Sequence, residues 1–142
     1  MKIRSSFVSN SSSSSFIVID DSGKYNIPDW SGILDVENGE YGWGPEKLYG
    51  IMDRITFSYL QAKYLDNQEW VNMLEEVIKE NTKITQINWI ANLDGDGLDY
   101  SYIDHQSCST EDMNVEMFDS KDALKNFIFG TKSYIQLDND NY

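Results

Sequence analysis

Trp70, Val71, Leu74, Val77 and Ile78 stand at i, i+1, i+4, i+7 and i+8. Only a helix of about 3.6 residues per turn gathers such a set on one side. Glu75, Glu76 and Lys79 fall on the other side, the wet face. A helix this one-sided is marginal alone and needs an apolar partner surface. The chain must therefore build a packed core. It has the material: 40% of its residues are apolar and 13% aromatic. Its 142 residues make one domain's worth. The net charge of −13 is large but does not imply disorder of the whole chain.

Other elements follow from period and punctuation. Phe16-Ile17-Val18-Ile19, closed by Asp20-Asp21-Ser22-Gly23, reads as a buried strand. Ile33 to Val36 reads as a strand that ends at the Asn38-Gly39 turn. Pro45 suits the first position of a helix running to about Leu65, with Leu48, Met52, Ile55 and Tyr59 on one face. Gly50 weakens its first turns by about 1 kcal/mol relative to Ala. Asp66 and Glu69 read as a capping box for the helix that ends near Asn81. Ile84 to Ile90 is a strand, and Leu98 to Ile103 is expected to return beside it as a hairpin. Asp119-Ser120 caps a third helix, which Gly130 ends. Tyr134 to Leu137 is the last strand, and 138–142 a polar tail. The order is no regular βαβ alternation. The expected fold is a single α+β domain, 1–142, with a mainly antiparallel sheet and two to three helices on one face.

Five consecutive serines, Ser11 to Ser15, precede the first of those strands. Serine hydroxyls compete for nearby backbone groups and resist regular structure. Lys2 and Arg4 would suit a signal peptide, but the apolar stretch it needs is broken by Ser9-Asn10-Ser11. Position 2 is Lys, so myristoylation is excluded. Residues 1–15 are read as a serine-rich leader, dispensable for folding. The stretch from Lys2-Ile3-Arg4 through Phe7-Val8-Ser9-Asn10-Ser11 to Ser15-Phe16-Ile17 resembles the leader of small, mostly uncharacterised proteins of tailed phages and prophages. "YGWGPEKLYGIMDR" at 41–54, "YIDHQSCS" at 102–109 and "SYIQLDNDN" at 133–141 look like the same kind of protein. Ser5-Ser6 replaces the Gly expected before Phe7. The resemblance implies a phage origin and brings no activity with it.

No Lys or Arg occurs between Ile84 and Ser120. Asp94, Asp96, Asp99, Asp104, Glu111, Asp112, Glu116 and Asp119 are concentrated there. Such a chain repels nucleic acid and anionic membrane and favours a basic partner, although the same charge could serve solubility alone. Alternate aspartates in "LDGDG" suggest oxygen ligands. An EF-hand loop counted from Asp94 would need Glu where His105 stands. Gly95 and Gly97 also suit an ordinary hairpin turn. Asp104 and His105 are strand neighbours and point to opposite faces, so one does not orient the other. Cys108 could pair with His105 as nucleophile and base, but no flanking pattern supports that. The single cysteine excludes an intrachain disulfide and fits a reducing cytoplasm. Trp43 between Gly42 and Gly44 is either a core plug or an anchor for a partner.

These observations lead to three expectations. The first is an acidic phage accessory protein in the host cytoplasm, without cofactor. It would bind and inhibit a host protein with a basic surface, for instance a nucleic-acid-binding defence factor of the kind CRISPR effectors represent. Its contacts would be Trp43, Asp94, Asp96, Asp99, Asp104, Glu111, Asp112 and Glu116, with no direct nucleic acid or membrane contact. The second is a small metal-dependent enzyme using Asp94, Asp96, Asp99 and His105. The third is a structural or packaging accessory protein.

Overall fold

β2 (Phe16–Ile19) forms where the β-branched run predicts it, and it organises the main sheet. The computed structural model describes residues 2–5, 16–41, 46–91, 102–103 and 115–137. Ile17 and Ile19 enter the core, and Val18 between them is buried as well. β1 (Lys2–Ser5) pairs antiparallel with β2, from Lys2 opposite Ile19 to Ser5 opposite Phe16. The first residues of the leader are thus an edge strand, which the expectation of a dispensable 1–15 did not include. The serine run itself lies outside the described residues.

On the other side of β2 runs β8 (Tyr134–Leu137), antiparallel, with Ile135 buried opposite Ile17. β5 (Glu46–Leu48) closes the order β1-β2-β8-β5. This corrects the helix expected from Pro45. Leu48 continues the 3.6-residue period of the following helix, yet Glu46, Lys47 and Leu48 pair with Leu137, Gln136 and Ile135. The helix α1 starts only at Ile51 and ends at Tyr64 (Ile51–Tyr64). Gly50 does not weaken its interior; it is the N-cap, in extended backbone, and Asp53 sits in the first turn, where the helix dipole favours a carboxylate.

Neither does α1 have a wet face along its middle. Arg54 to Ala62 are all buried, including Thr56, Ser58 and Gln61. Ser58 donates its hydroxyl to the Arg54 carbonyl. The Gln61 amide finds no hydrogen-bond partner among the described residues.

The junction to α2 (Gln68–Asn81) is a one-residue correction to the expected capping box. Asp66 takes a left-handed φ of 52°. Its N–H donates to the Lys63 carbonyl and that of Asn67 to the Ala62 carbonyl, the two bonds of a Schellman C-cap. Asn67, not Asp66, caps α2, accepting from the Trp70 N–H at 3.2 Å. Glu69 then falls one position short of the place a capping box requires. Glycine avoids the left-handed penalty, partly offset by its freedom in the unfolded chain. Asp66→Gly should therefore stabilise the fold by about 0.5–1 kcal/mol, and Asp66→Val should destabilise it. Urea midpoints of the three proteins check this, and a glycine variant less stable than its parent would refute it.

Val71, Leu74, Val77 and Ile78 of α2 are buried, as their spacing predicts. α2 packs on α1 and on β6 (Lys83–Trp89). β6 pairs with β3 (Ser31–Val36), and the pairing is parallel. No antiparallel hairpin partner of β6 occurs among the described residues. Instead β7 (Tyr102–Ile103) pairs in parallel with β4 (Glu40–Tyr41). The main sheet is antiparallel throughout; the two small sheets are parallel pairs. The fold is α+β. A 3-10 turn (Glu116–Asp119) leads to α3 (Lys121–Phe129). Ser120 caps α3 by accepting from the Ala123 N–H, and α3 lies against β2. No helix among the described residues is long and apolar enough to cross a membrane.

Candidate functional site

Three tryptophans that could have served as partner anchors occupy different places. Trp70 stacks on Phe118 at 4.7 Å, nearly coplanar. Trp89 stacks on Tyr59 at 4.2 Å with 2° between the planes, and its indole N–H donates to Glu75 Oε2 at 2.6 Å. Glu75 is therefore tied to an indole rather than left on the wet face. Burial, and secondarily the Glu75 charge, pushes the Tyr59 hydroxyl pKa up. These rings join elements of the core. Trp30 is the tryptophan that walls a surface cleft, half-buried, just before β3.

That cleft runs between β3 and α1 and encloses about 430 Å³. One wall is Trp30, Leu34, Asp35 and Glu37, continuing through Asn38 and Gly39; the other is Met52, Asp53 and Thr56. Met52, Asp53 and Thr56 are i, i+1 and i+4 of one helical face. Among the described residues no Lys, Arg or His lines it. Trp30, Leu34 and Met52 supply apolar surface, while Asp35 and Glu37 are exposed and Asp53 half-buried. Asn88 Nδ2 donates to Asp35 Oδ1 at 2.9 Å and orients that carboxylate. A second hollow of about 350 Å³ lies on the far side of Trp30, between Ile27-Pro28-Asp29 and Glu80 to Lys83. There Lys83 pairs with Asp29 at 3.7 Å, both well exposed, so the pair adds little to stability.

Elsewhere on the surface, three lysines are engaged by their own chain. Lys121 bridges Glu76 and Glu80 at 3.1 and 2.7 Å, and the Glu80 and Glu76 carboxylates raise its ammonium pKa. Lys125 stands 4.4 Å from the Tyr25 ring centroid, and Lys47 5.6 Å from that of Tyr134. The β3–α1 cleft thus presents the Asp35 and Glu37 carboxylates with no Lys, Arg or His among its described lining residues.

Of the residues expected to meet a partner, Glu116 is described. It opens the 3-10 turn, half-buried, with Oε1 shielded from solvent, whereas Asp119 is exposed. Trp43, Asp94, Asp96, Asp99, Asp104, Glu111 and Asp112 lie outside the described residues, as do His105 and Cys108. Among the described residues no group of three or more His, Cys, Asp or Glu is placed to hold a metal ion. Sequence reasoning missed the cleft. Its carboxylates come from positions 35, 37 and 53 on two elements, and only the pairing of β3 with β6 on the α1–α2 layer brings them together. No family model, no curated protein and no solved structure matches this chain.

Proposed function

We infer that the chain is a binding protein rather than an enzyme, a phage-encoded inhibitor acting in the host cytoplasm on a basic surface of a host protein. A nucleic-acid-binding defence factor fits best, because carboxylates on a rigid surface can occupy a groove built for phosphates. The observation that carries this reading is the distribution of charge. The chain has 24 acidic and 11 basic residues, and none of the basic ones falls between Ile84 and Ser120. The cleft lined by Asp35, Glu37 and Asp53 supports it from a second place on the surface.

The test begins with capture of partners from the bacterial host, identified by mass spectrometry. Binding of the purified partner is then measured from about 50 to about 500 mM salt, where the screening length falls from roughly 14 to roughly 4 Å. Exchanging Asp99, Glu111, Asp112 and Glu116 for Asn or Gln removes charge and preserves size. Affinity should fall at least about ten-fold and its salt dependence should flatten. The partner should also lose nucleic acid on binding the parent chain. Equal affinity of parent and variant across that range would overturn the reading.

A further inference from the structure

We propose that the edge of β3 opposite β6, with the cleft beside it, receives an extended basic segment of a partner protein as an added strand. The proposal rests on the reading of the chain as a binder of basic surfaces and assigns a place and a mode to it. Among the described strands β3 has one neighbour, β6. The Val36 carbonyl accepts from the Ile90 and Ala91 N–H groups on that side. Backbone groups alternate along a strand, so Leu34 also faces β6, while the N–H and C=O of Ile33 and Asp35 face away. No described strand pairs with them there. An open edge of this kind is a template for strand addition.

The cleft follows that edge rather than either face of the strand. Leu34 and Asp35 are adjacent and point to opposite faces, yet both line it. Ile33, on the same face as Asp35, is 60% exposed. An added strand would turn alternate side chains toward Trp30, Leu34 and Met52, and the intervening ones toward Asp35 and Glu37. Apolar residues suit the first set and Lys or Arg the second. Backbone bonds supply affinity in this mode and the side chains supply specificity. A second copy of this chain is disfavoured as the occupant, since its β3 edge carries the same carboxylates and no cation to meet them.

The probe is a synthetic peptide of about eight residues alternating Lys and Val, long enough to match β3, titrated into the isotopically labelled full chain. Amide shifts should cluster in Ser31 to Gly39 and Met52 to Thr56. Methylating the peptide's alternate backbone nitrogens, which removes edge hydrogen bonds and keeps charge, should weaken binding at least about ten-fold. Asp35→Asn with Glu37→Gln should weaken it several-fold and flatten its salt dependence. Absence of binding, shifts confined elsewhere, or indifference to methylation would overturn the proposal. So would dimerisation of the chain through β3 without peptide. The outcomes separate from those of the preceding test. A host partner lost with the Asp99, Glu111, Asp112 and Glu116 exchange, beside a peptide that leaves β3 untouched, removes this proposal alone. A peptide seated on β3, beside a salt-insensitive host complex, removes the earlier reading alone.

Discussion

Arg54→Met should lower the unfolding free energy by about 3–5 kcal/mol. Arg54 is 4% exposed in the middle of the protein. Its Nη1 donates to the carbonyls of Phe127 and Gly130 at 3.1 and 2.9 Å, its Nη2 to that of Tyr49, and its Nε to that of Gly50. Phe127 is in the last turn of α3 and Gly130 is its cap, so a cation there also meets the negative end of the helix dipole. Burial pulls the guanidinium pKa down to about 10, with Asp53 partly opposing. The group therefore stays charged at neutral pH. Hydrogen bonds from a charged donor such as these are worth about 1.5–3 kcal/mol each net of desolvation, the long ones to Tyr49 and Gly50 least. Methionine fills the space and donates nothing, leaving the Phe127 and Gly130 carbonyls short of a buried donor. Arg54→Lys should fall between, since an ammonium cannot fork to carbonyls on both sides. Guanidinium melts of the three proteins decide. A methionine variant within about 1 kcal/mol of the parent would show that water replaces the guanidinium.

Arg54 also shows why the fold was only partly legible. α2 is readable because five apolar residues share one helical face and, Met73 aside, the rest are polar. α3 is readable because Ser120 and Gly130 bracket it. In α1, by contrast, Arg54, Ser58 and Gln61 look like a solvent-facing set by composition, yet all three are buried. Their burial is decided by Phe127 and Gly130, more than 70 residues away in the chain. β5 fails for the same reason. Leu48 fits a helical period locally, but Ile135 holds it in a strand. The parallel direction of β3 and β6 depends on the α1–α2 pair that connects them, and no residue of either strand announces it.

For the candidate site, the sign of the charge was legible and the location was not. Counting along the chain draws the eye to Asp94 through Asp119, where carboxylates crowd together in sequence. The cleft carboxylates are crowded in space instead. Asp35, Glu37 and Asp53 are unremarkable in sequence, and Trp30 gives no sign that it walls a cleft while Trp70 and Trp89 stack inside.

Gly130→Ala should cost at least about 3 kcal/mol, or roughly 10 °C in midpoint for a domain of this size. The conformation is not the obstacle, because Gly130 has φ −60° and ψ 133°, which alanine adopts freely. Space is. A Cβ there would stand 2.9 Å from the Asp20 carbonyl oxygen, 2.8 Å from Ser133 Oγ, and closer still to the Asn126 carbonyl oxygen. None of the three can retreat cheaply. Asn126 O accepts from both the Gly130 N–H and the Ser133 hydroxyl. Ser133 Oγ accepts in turn from the buried Asp20 N–H at 2.8 Å. Asp20 is held by its side chain as well, which accepts from the Ser22 and Lys132 N–H groups and the Thr131 hydroxyl. Those bonds, led by the ones from Ser22, hold its carboxyl pKa down at about 2 against some opposing desolvation. Gly130 also offers its carbonyl to Arg54 and bridges Tyr25. Any shift that admits a methyl group therefore disturbs the joint between α3, β2 and β8. Ser133→Ala separates crowding from bonding, since it removes one of the crowding atoms but strands the Asp20 N–H, at about 1–3 kcal/mol. If crowding governs, the double variant should lose less than the two single losses added together. Strict additivity, or a Gly130→Ala midpoint within about 3 °C of the parent, would mean that the joint yields without cost and that glycine is not required there.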